Sequence, residues 1–154
     1  MKSPFGTSLR RDPADPRGLL ERIDAQLGER LTEAVDFACL DLMVQLRRQH
    51  GRPLPDAQNP TDQKEFKLLV REFLVHLRGV YWTELSAADR QKVVQAETGA
   101  RSQELERLVA GQVALARHLP DYWQRFDASR AAFVRARLAA PPPKPGVLNR
   151  LLGR

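Results

Sequence analysis

A single cysteine, Cys39, leaves this chain unable to form an internal disulfide. Its neighbours Phe37, Ala38, Leu40 and Leu42 suit a small buried thiol in a reducing compartment, so a cytoplasmic location is expected. No apolar run approaches the ~18–20 residues that span a bilayer. The opening MKSPFGTSLRRDPADP carries basic residues without a following apolar stretch, and does not read as a secretory signal. Strand alternation, a glycine-rich phosphate loop, zinc-finger spacing and RNA-binding aromatic motifs are all missing. His50, His76 and His118 form no close pair. The repeated Glu-x-x-His signature of a di-iron bundle does not occur. No catalytic residue, metal ligand or cofactor is assigned on these grounds.

What remains is an ordinary globular composition. Hydrophobic residues make up 42% and charged residues 29%, which is too apolar for a disordered chain. A length of 154 residues suits one domain. The charge is unevenly placed. Residues 1–100 hold 15 Lys plus Arg against 15 Asp plus Glu, whereas residues 101–154 hold 10 against 4, which accounts for the whole formal +6. Such an excess favours acidic partners without choosing among nucleic acid, an acidic protein and an anionic membrane.

Helical spacing dominates the middle of the chain. Residues 1–15 read as an irregular arm broken by prolines, and Asp15-Pro16 is a cap-then-proline helix start. Leu20, Ile23, Leu27, Leu31, Ala34, Ala38, Leu42 and Leu46 then recur by threes and fours, predicting a long first helix over 16–49. Gly28 marks a kink or a close helix crossing. Asn59-Pro60 repeats the start signal, and Phe66, Leu69, Val70, Phe73, Leu74 and Leu77 line a second, central helix. Gly79 predicts that this helix weakens before Tyr81-Trp82. Ser86 to Asp89 has the form of a capping box ahead of a short helix over 87–97. Ser102 is the expected cap of a fourth helix with Leu105, Leu108, Val109, Val113 and Leu119. Pro120 separates it from a last helix over 120–139. The expected fold is all-α: an irregular four- to five-helix bundle over 16–140 with a long first helix and a flexible proline-rich C-terminal tail. The first helix would outreach the others, and a homodimer is one way to cover the surplus of its apolar stripe.

The tail, 141–154, is the most distinctive segment. PPPKPG favours an extended polyproline spacer, and beyond it Leu148, Leu151 and Leu152 would share one face of a short helix beside Arg150. This is the physical design of a docking peptide, and another protein is the favoured partner; packing against its own domain or a merely frayed end are the plainer readings, and membrane contact is the least favoured. Arg125, Arg130, Arg135 and Arg137, with Arg117 just before them, make a basic region that phosphate would suit, diluted by Asp121 and Asp127. Tyr81-Trp82 and Tyr122-Trp123 are expected to close the bundle ends, one ring inward and one at the rim, where an exposed ring would serve binding. Glu72 and His76, four apart, read as a surface contact more readily than as an acid–base pair. The chain thus reads as a non-enzymatic interaction or adaptor protein, with a basic nucleic-acid-binding adaptor as the alternative.

Overall fold

The threes-and-fours spacing of the first half becomes one continuous helix. A computed structural model describes residues 19–100 and 103–141, with side chains from residue 25 onward. Helix α1 spans Leu19–Gln49 and passes through Gly28 without a break. A Cβ at Gly28 would sit 3.9 Å from Val113, so the glycine marks a helix crossing at ordinary contact distance rather than a kink. At 31 residues α1 is about 46 Å long. It ends at Gly51, whose φ of +63° is the left-handed conformation that glycine adopts without strain. The Arg52 N–H then donates to Arg47 O at 2.8 Å, closing the last turn.

Helix α2 spans Pro60–Glu84, and its start is fixed by sequence. Asn59 Oδ1 accepts from the N–H groups of Thr61 and Asp62 at 2.8 and 3.2 Å, and Pro60 has no N–H to leave unpaired. Asn59→Ala is expected to lower stability by about 1 kcal/mol, readable as a shift of the urea midpoint with an unchanged slope. The expected weakening at Gly79 does not occur; α2 runs through it and carries the aromatic pair within the helix. One glycine costs ~1 kcal/mol, less than the burial of Leu77 and Tyr81 on either side returns.

The remaining elements are α3 (Ala87–Gly99), α4 (Glu104–His118) and α5 (Tyr122–Ala139). Ser86 caps α3 by accepting from Asp89 N–H at 3.1 Å. The N-cap of α4 falls on Gln103, which makes no side-chain capping bond, and the expected cap Ser102 lies outside the described residues. Pro120 stays in the connection, and α5 begins two residues later than the sequence suggests. Leu119 N–H donating to Leu115 O and Tyr122 N–H donating to Leu119 O turn the chain there.

Pairs of contacts fix the helix directions. Helices α1 and α5 run the same way: Arg30 lies over Trp123 near one end, and Gln49 Nε2 donates to Leu138 O near the other. Helix α2 runs against α5, with Tyr81 stacked on Tyr122 and Arg137 paired to Glu72. Helix α4 follows α2, since Arg71 meets Glu104 while Tyr81 and Gln112 both meet Tyr122. Helix α3 folds back on α4. A Cβ at Gly111 would lie 3.1 Å from Glu97 Cγ and 3.2 Å from Val93 Cγ1, so the absence of a side chain lets α3 and α4 approach closely. The described residues form an irregular all-α bundle of five helices, with α1, α2, α4 and α5 around one core and α3 packed on α4 at its outside. No strand occurs among the described residues.

The core is where the apolar lines converge. Leu31, Val35, Leu42 and Met43 of α1 meet Phe73, Leu74 and Leu77 of α2, all at most 1% exposed. Phe73 packs between Phe126 and Phe133 at ring distances of 5.6 and 5.2 Å. Under the loop joining α1 to α2 lies a polar knot. Arg47, 4% exposed, donates to Asp62 Oδ1 and Glu65 Oε2 at 2.6 Å each and to Pro53 O at 3.1 Å. Asp62 Oδ2 also accepts from Asp56 N–H. Burial would push the Asp62 carboxyl up, but Arg47 and this N–H hold it below the usual carboxylate range.

Candidate functional site

The core of α2 occupies one face, and its opposite face carries a second apolar row. Leu68, Val75 and Trp82 recur every seven residues, two helical turns apart, so they line up away from Phe73, Leu74 and Leu77. Val75 is 44% exposed, and Leu68 and Trp82 are half-buried. Gly79 lies between the last two with nothing within 4 Å of where a Cβ would be, which leaves a shallow gap in the row. The sequence held the signal as a heptad interval, hidden by the stronger core line on the same helix.

One flank of the row is cationic. Lys64, Lys67 and Arg71 are exposed, and Arg78 follows toward Trp82. The Arg78 guanidinium lies 4.4 Å from the Trp82 ring centroid and that of Arg90 lies 5.5 Å from it, while Arg90 Nε donates to Trp82 O at 3.0 Å. Arg71 pairs with Glu104 at 2.7 Å and Arg78 with Glu97 at 2.6 Å. Those two carboxylates face five cations. Across the row, Glu72 is taken by Arg137 at 3.0 Å.

The aromatic pairs divide as their sequence positions suggest. Tyr81 and Tyr122 point inward and stack with ring centroids 5.3 Å apart. Tyr81 Oη donates to Tyr122 O at 3.0 Å, and Tyr122 Oη donates to Gln112 Oε1 at 2.7 Å. Burial pushes both phenols up, so they stay neutral donors. Trp82 and Trp123 stand half-buried at the rim, the latter 3.9 Å below Arg30.

Two of the α5 arginines are paired within the bundle. Arg125 pairs with Asp121 at 2.8 Å and Glu84 at 2.6 Å, and Arg137 with Glu72. Arg130 and Arg135 are exposed, and their interval of five places them about 140° apart around the helix. Leu148, Arg150, Leu151 and Leu152 lie outside the described residues.

The Glu72–His76 contact is replaced by two others. Glu72 turns to Arg137, and the His76 ring lies 5.4 Å from Phe133. His76 Nε2 is buried without a hydrogen-bond partner among the described residues. A further polar line runs along α1, with Thr32, Asp36 and Cys39 at most 4% exposed. Among the described residues Thr32 Oγ1 finds no hydrogen-bond partner, and burial, then the nearby Glu33 carboxylate, pushes Asp36 up to about 7. Burial, then Asp36 and Glu72, pushes the Cys39 thiol up, so it stays protonated and a poor nucleophile. Among the described residues, no three His, Cys, Asp or Glu side chains gather as metal ligands would, and no helix is long and apolar enough to cross a membrane. Comparison with protein-family models, with curated proteins and with solved structures finds no match to this chain.

Proposed function

We propose that this chain is a non-enzymatic interaction or adaptor protein that binds another protein. The observation that carries the reading is the row of Leu68, Val75 and Trp82 on the outer face of α2. Apolar side chains aligned over four turns and flanked by arginine and lysine have the composition of a binding surface, where aromatic and arginine side chains supply most of the energy. The segment with Leu148, Arg150, Leu151 and Leu152 is a second docking element, joined to the bundle by its proline-rich spacer.

Affinity capture from native extract tests both elements, using the full chain, Val75→Asp and the double variant Leu151→Asp/Leu152→Asp. Specifically recovered proteins are expected to be lost from one variant or the other. Identical recovery by all three would end the proposal. The alternative reading, a nucleic-acid-binding adaptor, draws on the exposure of Arg130 and Arg135 beside Arg125 and Arg137. It requires association with duplex or single-stranded oligonucleotides that strengthens as salt is lowered.

A further inference from the structure

We infer that the outer face of α2 receives an acidic amphipathic helix from a partner protein; this rests on the interaction reading above and gives it an occupant. The row from Leu68 to Trp82 spans 14 residue steps, about 21 Å of helix. A straight partner of about four turns would cover it. Apolar residues every seven positions match the seam along which two helices pack. The gap over Gly79 admits a side chain from the other helix. Trp82, held between Arg78 and Arg90, offers a ring whose orientation is set before binding, so little rotamer freedom is lost there.

Charge selects the occupant. Lys64 and Lys67 are exposed on the flank, and Arg71, Arg78 and Arg90 continue the positive field past the two carboxylates that pair with them. A helix with glutamates beside its apolar line gains from that field, and one with lysines is repelled. The same sign disfavours a second copy face to face, since each would present the same cations. It also disfavours this chain's own flanking segments. Residues 142–154 carry Lys144, Arg150 and Arg154 with no acidic residue, and residues 1–18 carry four basic residues against Asp12 and Asp15.

The test is fluorescence anisotropy with the full chain and a labelled 16-residue helical peptide bearing leucines at the seam and glutamates on its flanks. Saturable binding is expected at low salt, at least tenfold weaker in Val75→Asp and in Lys64→Glu/Lys67→Glu, and unchanged in Arg130→Glu on α5. Circular dichroism confirms that each variant keeps its helices. A matching peptide with lysines in place of the glutamates is expected not to bind. Absence of binding by the glutamate peptide, equal binding by Val75→Asp, or an equal loss in Arg130→Glu overturns the inference. So does a full chain whose self-association is abolished by Val75→Asp, because a second copy then occupies the face. If the peptide fails while Val75→Asp still loses a captured protein, only the acidic-helix assignment falls. If the captured set is also unchanged in every variant, the interaction reading falls with it.

Discussion

Asp36→Asn is expected to stabilise the protein above pH 7 and to change little at or below about pH 4. Asp36 is 4% exposed, and burial followed by the Glu33 charge lifts its carboxyl from 3.8 to about 7. The folded chain therefore binds a proton that the unfolded chain has released between about pH 4 and 7, and the contribution of this group to stability falls as pH rises through that window. Above pH 7 the carboxylate is ionised in a site that disfavours charge. Asparagine keeps the shape without the charge. The full shift corresponds to about 4 kcal/mol, and relaxation of the surroundings around the ionised carboxylate reduces the expected gain to on the order of 2 kcal/mol. Urea unfolding of both proteins at pH 4 and pH 8 measures it. Equal midpoints at pH 8 would show that Asp36 carries no penalty. Glu33→Gln should give a smaller gain in the same direction, because Glu33 is the lesser of the two causes.

Arg47→Met has the opposite sign and a larger magnitude. Arg47 is the guanidinium that hydrogen-bonds Asp62, with Arg52 adding a weaker favourable charge, and it also holds Glu65 and caps the loop through Pro53 O. Its removal leaves two carboxylates, 11% and 13% exposed at the side chain, with Arg52 3.9 Å from Glu65 as the remaining counter-charge. A loss of about 3–5 kcal/mol is expected, as for other buried pairs broken from one side. The triple variant Arg47→Met/Asp62→Asn/Glu65→Gln should recover much of it, since the cost lies in stranded charge more than in the lost attraction. Chemical unfolding of the three proteins at pH 7 separates the terms, and equal losses in the single and triple variants would contradict this account. Asp62 also titrates against Asp36. Its folded carboxyl lies below 3.8, so its stabilising effect is present above about pH 4 and disappears as pH falls through the lower folded value.

These two residues mark the limit of what the sequence discloses. Local chemistry was legible: Asn59-Pro60 and Ser86 start helices because their side chains reach donors two or three residues ahead, and no distant partner is needed. The core was legible too, because Leu31, Leu42, Phe73 and Leu77 sit on lines that only a helix brings together. The partners of charged residues were not. Glu72 and His76 are neighbours on α2, yet Arg137 from α5 takes the first and Phe133 faces the second, and neither helix spacing nor composition contains that choice. Arg47 reads as a routine cation in a last turn until the loop places Asp62 and Glu65 beneath it. The outer row of α2 was present as an interval of seven but overshadowed. Gly79 pointed to a weak helix, whereas its position gives that row its gap.

Helix α3 brings one buried side chain, Val93, to the interior and leaves Val94 39% exposed. It packs along α4, with the narrow seat on Gly111, and reaches α2 through the Arg78–Glu97 pair and the bond from Arg90 to Trp82 O. A motion that carried α3 away from α2 would therefore uncover little of the core that the other four helices share. It would also withdraw Arg90 from the Trp82 indole and free the Arg78 guanidinium, so the position of α3 sets the charge beside the outer face of α2.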